Sequence, residues 1–273
     1  MKNKLDFLIV FFLVFTGAKA QSLDSLTVYY YENYPYAYME GTKLKGIEIE
    51  IVDEYVNWLK QKKNIQTAIN YKPYKEFSSF YASVKGGSPY VIGLGSVTIS
   101  KTREKDVLFS PPYLQNLAVL ITDGRVQTVR EKTSLEVSKT LAGLSAVVVN
   151  NSSHINYLND IKKLFVPALK IDYTETQSSV LENIATNMKI FGYVDIVAYW
   201  SYLKLNPNKF LKIQKVFNEP KESLGFVMPR ISAHSPYINE FFESGFGFTS
   251  TKTYHQILEK YLGHEIIESV EIR

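Results

Sequence analysis

The chain has 273 residues, no cysteine and a formal net charge of +4. The missing thiol excludes a disulfide framework, thiol chemistry and a lipid-modified cysteine, and so small a charge provides no basic field to track nucleic acid. About 250 residues beyond a leader are enough for one large domain or two lobes. The 20 Tyr and 16 Phe point to packed, half-exposed sheet and helix surfaces, with a tyrosine-lined cleft as the alternative.

Residues 1–20 read as an export signal. Lys2 and Lys4 give a positive start, residues 7–15 are unbroken apolar, and Ala18-Lys19-Ala20 is a small-x-small site before Gln21. The apolar run is far short of the roughly 20 residues of a spanning helix. The expectation is cleavage near Gln21 and a free periplasmic product.

Residues 26–31 are β-rich and are broken by Asn33-Tyr34-Pro35-Tyr36, whose proline cannot continue a central strand. After a turn at residues 41–46, Ile47, Ile51, Val52, Tyr55, Val56 and Leu59 recur at helical spacing. A second strand is predicted over 65–71. Phe77, Phe80, Tyr81 and Val84 mark a helix that Gly86-Gly87-Ser88-Pro89 stops, and a third strand follows at 90–94. Strands alternating with helices predict a parallel α/β sheet, with ligands bound outside the carboxyl ends of its strands.

The run at residues 96–113 stands at such an end. It reads Ser-Val-Thr-Ile-Ser-Lys-Thr-Arg and then, after a spacer, Phe109-Ser110-Pro111-Pro112-Tyr113. Thr98 ends a strand, and Arg103 falls past a turn or in the first turn of a helix. An Arg fork gives a planar anion two parallel charge-assisted hydrogen bonds, each roughly twice as strong as a neutral one. This spacing suits a small carboxylate.

A β-rich stretch at 117–122 leads into a polar segment at 123–133, which marks the crossing into a second lobe. There a buried strand at 146–149 is followed by the cap cluster Asn150-Asn151-Ser152-Ser153 and a helix carrying Ile155, Leu158, Ile161 and Leu164. A strand at 171–173, a helix carrying Leu181, Ile184, Ala185 and Met188, and a strand at 193–197 repeat the β-α-β logic. A returning strand at 224–228 and helices near 238–242 and 254–262 are expected to pack on the first lobe. Lobe 1 is then residues 21–117 plus 221–273, and lobe 2 is residues 118–220.

Enzyme signals are poor. There is no Gly-x-Ser-x-Gly elbow and no phosphate loop, and His154, His234, His255 and His264 lack metal-ligand spacing, so they read as surface or capping residues.

Several segments together resemble the type 2 periplasmic solute-binding proteins of the polar amino-acid class, the bacterial extracellular solute-binding protein family 3. They are Tyr34-Pro35-Tyr36, Gly46-Ile47-Glu48-Ile49-Glu50, the Thr98 to Arg103 spacing with Phe109-Ser110-Pro111, Gly192-Tyr193-Val194-Asp195, and the closing helix ending Lys260-Tyr261-Leu262. The resemblance implies a two-lobed α/β fold, each lobe a mostly parallel sheet flanked by helices, joined by two crossing strands and closing on one ligand.

It further implies that Arg103 and Thr98 hold the ligand's α-carboxylate with help from Ser96, while Asp195 faces the α-ammonium. Ser152 and Ser153 open a helix whose N-terminus could meet the same carboxylate or could be plain caps. Phe77 stands where an aromatic covers the ligand's side chain, with Tyr34 and Tyr36 for its other face, although a helical phenylalanine is ordinarily core. Glu48 and Glu50 match a structural element. Arg103 could instead be a surface ion-pair residue, and Asp195 a turn or cap residue.

The chain departs from the family in having Tyr30 where many members carry an acid, and Asn151-Ser152 where Gly-Thr is usual. The expected role is capture of a small amino acid or related carboxylate for an inner-membrane ABC permease, by a monomer without cofactor or metal. A dehydratase of the cyclohexadienyl type, with Glu32 as its acid, and a soluble sensor are the rival roles.

Overall fold

The computed structural model describes residues 23–218 and 222–270, so the expected export signal lies outside the described residues. The chain begins with β1 (Ser25–Tyr31), an antiparallel hairpin of β2 (Tyr38–Glu40) and β3 (Lys43–Lys45), and α1 (Ile47–Lys63). Next come β4 (Ala68–Tyr74), α2 (Phe77–Lys85), β5 (Val91–Thr98), a 3-10 turn at Arg103–Lys105, β6 (Leu108–Phe109) and β7 (Leu114–Asn116). The middle comprises β8 (Ala118–Asp123), α3 (Ser134–Leu141), β9 (Ser145–Val149), α4 (His154–Leu164), β10 (Ile171–Thr174), α5 (Gln177–Thr186), β11 (Ile190–Asp195), α6 (Ile196–Leu205) and β12 (Leu211–Ile213). Last are β13 (Glu222–Met228), α7 (Ser235–Glu243), α8 (Lys252–Leu262) and α9 (His264–Val270).

Local chemistry sets these boundaries. In α1 the apolar face Ile47, Ile51, Val52, Tyr55 and Leu59 is buried, Glu48 and Glu50 sit at the positive end of the helix dipole, and Lys60, Lys62 and Lys63 sit at the negative end. Asn64 closes it in the left-handed conformation, its N–H donating to the Leu59 carbonyl. That cap delays the next strand to Ala68, three residues later than the β-rich sequence suggests. Pro73 is tolerated in β4 because β4 is an edge strand.

Two sheets share one strand order. The first runs β4-β1-β5-β13-β6, with β7 also on β13; β4, β1 and β5 are parallel and β13 is antiparallel to β5. The second runs β10-β9-β11-β8-β12, with β10, β9 and β11 parallel and β8 antiparallel to β11. In each, the first strand lies between the second and the third, so the connections diverge and leave a crevice at the carboxyl ends of β1 and β5, and of β9 and β11. The chain passes to the second sheet at Leu117, ahead of the polar segment, and returns between β12 and β13.

Several elements differ from the sequence reading. The strand expected at 193–197 ends at Asp195, and Ile196 opens α6, a helix apolar on nearly every side. A short apolar run carries no period that separates a buried strand from a buried helix. Helix α3, which begins just after the polar segment at 123–133, was not predicted, although Thr133 caps it by accepting from the Glu136 N–H.

The aromatic surplus is largely core. Tyr36, Tyr55, Tyr113, Tyr193 and Tyr254 are fully buried. Four of these hydroxyls find partners, including Tyr113 on Glu48 at 2.6 Å and Tyr254 on the Tyr113 carbonyl at 2.6 Å. Helices α7 and α8 pack on α1, α7 through the Phe241 ring on Tyr55 at 5.6 Å and Trp58 at 5.9 Å. His234 is not a surface residue: it is fully buried, with Nδ1 2.9 Å from the Tyr55 hydroxyl.

Candidate ligand-binding cleft

The two crevices meet in one cavity of about 410 Å³, its mouth included. From the first sheet it is lined by Tyr31, Asn33, Phe77, Ser96, Thr98 and Arg103, and from the second by Val149, Ser152, Ser153, His154, Gln177 and Asp195. Hydrogen bonds already cross it. The Tyr31 hydroxyl donates to the Glu175 carbonyl at 2.5 Å, and Arg103 Nη2 donates to the Asn151 carbonyl at 3.4 Å.

Arg103 reaches the cavity because β5 ends at Thr98 and the 3-10 turn swings its side chain back over the strand end. Its guanidinium lies over the rings of Phe77 at 5.4 Å and Tyr81 at 5.7 Å, a cation–π arrangement that holds the fork flat. Nη1 donates to the Thr98 carbonyl at 3.1 Å. Burial lowers its pKa from the ordinary value, opposed by Tyr81 and Glu222. A guanidinium has five N–H donors and remains charged, so donors are left for an anion.

Proton accounting separates the hydroxyls. Thr98 Oγ1 donates its single proton to Glu222 Oε2 at 3.0 Å, and the Tyr157 hydroxyl donates to the other oxygen of Glu222. Thr98 therefore has no proton left for a carboxylate in this arrangement. Ser96 Oγ accepts from Asn33 Nδ2 at 3.0 Å and keeps its own proton to give. Ser152 Oγ is buried without a hydrogen-bond partner.

Ser96 takes a left-handed conformation, φ 46°, and its N–H is pinned by Glu48 Oε1 at 3.0 Å. Glu48 is fully buried, and burial pushes its carboxyl up to about 7 against the hydrogen bonds from Tyr113, Ser96 and Gly95. Glu48 thus shapes the strand end from behind.

On the opposite wall, Asp195 sits where β11 turns into α6. One of its oxygens receives Asn116 Nδ2 and stands 3.2 Å from His154 Nε2, and the other receives Gln177 Nε2 at 2.5 Å. The Asp195 N–H in turn donates to Gln177 Oε1 at 2.6 Å. Burial alone would raise the Asp195 carboxyl. The hydrogen bond and attraction of His154, with the bonds from Gln177 and Asn116, outweigh it and hold the pKa below the usual carboxylate value.

Residues 26–264 match the model of the bacterial extracellular solute-binding proteins, family 3. The chain belongs to this family. No curated protein matches it in sequence. Among solved structures, an ancestral arginine-binding protein bound to arginine aligns with TM-score 0.71 at 20% identity, over 88% of this chain and 99% of that one. A putative L-cystine ABC transporter from Listeria monocytogenes gives TM-score 0.71 at 19% identity, over 89% and 97%. The ancestral amino-acid-binding protein AncCDT-1, a precursor of cyclohexadienyl dehydratase, gives 0.64 at 16% identity, over 88% and 96%. These likenesses establish the two-lobed fold common to the family.

Measured against the family's expected site, the structure brings Arg103, Thr98, Ser96, Phe77, Ser152, Ser153 and Asp195 to one cavity. It does not bring Tyr34 and Tyr36 there. Tyr34 meets Tyr38 of the hairpin edge to face at 4.7 Å, and Tyr36 is fully buried. Glu32 is exposed and is not among the described lining residues.

Ser153 stands at the helix N-terminus but makes no side-chain cap bond. His154 corrects the sequence reading: it is 4% exposed and faces Asp195 inside the cleft. Sequence reasoning also missed Gln177, the first residue of α5, Tyr31, the last of β1, and Asn33, two residues beyond β1. Their place at or just beyond the carboxyl end of a strand, or just after the helix cap Thr176, was the available signal.

Proposed function

We propose that this protein captures a small carboxylate, an amino acid in the first instance, in the periplasm and delivers it to an inner-membrane ABC permease. Lobe 1, residues 21–117 and 221–273, and lobe 2, residues 118–220, close on it as a monomer, hinged at the two chain crossings. No cofactor is required, since the task is binding. The observation that carries this reading is Arg103: a largely buried guanidinium held flat by Phe77 and Tyr81, with N–H donors to spare beside the Ser96 and Ser152 hydroxyls. Arg103 and Ser96 hold the carboxylate from lobe 1, Ser152 and Ser153 from lobe 2, Thr98 shapes the subsite, Phe77 borders the ligand's side chain, and the Asp195 wall receives the opposite end.

The test is a thermal-shift screen of amino acids and small carboxylates against the wild type and Arg103→Lys. A ligand at 100 times its dissociation constant stabilises the folded state by about 2.7 kcal/mol. Lysine keeps a charge but loses the planar fork, so the shift is expected to collapse in the variant. A wild type that no carboxylate shifts, or a variant that responds like the wild type, would sink the reading.

A further inference from the structure

The hydrogen bonds that join the two lobes stand at different distances from the hinge. The bond from the Tyr157 hydroxyl to Glu222 lies at the hinge itself, because Glu222 pairs in register with Asn116, next to the crossing at Leu117. The bond from the Tyr31 hydroxyl to the Glu175 carbonyl lies far from it. Tyr31 ends β1, two strands from β13, and Glu175 follows β10, three strands from β8. At about 4.8 Å per strand, this pair stands roughly 10 to 14 Å from the strands that carry the crossings.

That distance is a lever. A rotation of about 10° on such an arm parts the pair by about 2 Å, which takes a 2.5 Å hydrogen bond out of reach. The same rotation moves groups at the hinge far less. The Tyr31–Glu175 bond therefore exists only with the lobes together.

Tyr31 is held ready to make it. Its ring is 3% exposed, edge-on to Phe77 at 5.7 Å and tilted against Phe80 at 6.5 Å, both from α2. Little side-chain freedom is left to lose on closure. Burial, Glu175 and Asp195 all raise the pKa of the phenol, so the hydroxyl keeps the proton it donates. The acceptor is a backbone carbonyl, which does not titrate. The bond runs from protein to protein beside the cavity that Tyr31 lines, and it uses no atom of a ligand.

We infer that Tyr31 is a closure clasp: its hydroxyl ties lobe 1 to the backbone of lobe 2 on the side of the cleft remote from the hinge, and so sets how long a captured ligand stays. Closure is then partly a property of the chain, with the ligand supplying the rest. A ligand enters and leaves through the open form, so the clasp slows departure and leaves the rate of capture unchanged. Because the hydroxyl is bonded to lobe 2, the factor is the same for every ligand. The rate effect rests on the capture reading above; the effect on the closed fraction does not.

The test compares wild type with Tyr31→Phe, which keeps the ring and its contacts with α2 and removes only the hydroxyl. Stopped-flow measurements give the association and dissociation rates of L-serine, L-glutamine, L-arginine and propionate. Separately, the natural chain has no cysteine, so Lys75→Cys and Asp172→Cys, exposed positions on the two lobes, accept a pair of spin labels whose separation reports the closed fraction of the free protein. That second measurement needs no ligand.

In Tyr31→Phe the dissociation rate of each bound probe should rise roughly three- to tenfold, the worth of one neutral hydrogen bond, with association unchanged. The free wild type should show a closed population, and its ratio to the open one should fall by the same factor in the variant. A residue that merely supports the fold would not separate the two rates in this way. An unchanged dissociation rate, a factor that differs from probe to probe, or a free wild type without a closed population overturns the clasp. If wild type binds none of the probes, the carboxylate reading falls, and the clasp is decided by the label distances alone.

Discussion

Replacing Glu48 by glutamine isolates the energetic consequence of burying a carboxyl behind the ligand cleft. Glu48 lies fully buried in the first turn of α1, with Oε1 accepting from Tyr113 and Ser96 and Oε2 unpartnered. Burial raises its pKa from 4.5 to about 7. Between those values the folded protein keeps a proton that the unfolded chain has lost. Stability contributed by this group is therefore complete below the unfolded pKa and is lost as pH rises through the folded one.

One pKa unit is about 1.4 kcal/mol, so wild type loses about 2 to 3 kcal/mol at this residue between about pH 5 and about pH 8. His234 acts in the opposite sense. Burial lowers it from 6.5 to about 4, so its contribution is lost as pH falls through that window. The two nearly cancel in the wild-type profile, and only the difference between variant and parent reveals Glu48. Glutamine offers the same acceptor and cannot ionise.

Urea unfolding of both proteins at about pH 5, 6, 7 and 8, with matching m-values as the check on the native and unfolded states, should show Glu48→Gln gaining on wild type by about 2 to 3 kcal/mol across the range. A difference that stays constant with pH would refute the reasoning.

Other outcomes follow from the same geometry. His234→Gln should remove the acid-side loss of stability between the ordinary histidine pKa and about 4, read from unfolding curves on the acid side. Ser152→Ala should cost about 1 kcal/mol of carboxylate affinity by calorimetry, and Thr98→Val less, because the Thr98 proton is already spent on Glu222; the reverse order would contradict the proton accounting. Gly46→Ala should cost about 3 kcal/mol or more in urea unfolding, since a Cβ there would stand 2.0 Å from the Tyr36 carbonyl oxygen at φ 137°. Gly143→Ala, at φ 81° with no atom within 4 Å of its Cβ position, should cost only the backbone strain, about 1 kcal/mol.

The fold was legible wherever a segment reports its own surroundings. The period of α1, the apolar run of β5 and the alternation of strands with helices are local imprints of one buried face or two. The missed and shifted elements are those where that imprint fails. Helix α6 is apolar on nearly every side, so its sequence has no face to announce it. The strand expected at Ile65 waits for the cap at Asn64. In the cleft, Arg103, Thr98 and Ser96 were visible because they follow one another along a single strand end.

His154, Gln177 and Asn116 were not, since each sits on a different element and acquires meaning only beside Asp195. The sequence by itself determined the class of the chain, the positions of most helices and strands, and the presence of a guanidinium at the right distance from a strand end. Only the tertiary structure decided which protons are already spent, that Tyr34 and Tyr36 lie outside the cleft, and that His154, read as a surface or capping residue, lies buried against Asp195. Those are properties of groups brought together across the chain, and hydrogen bonding depends on distance and direction in space, which spacing along the sequence does not encode.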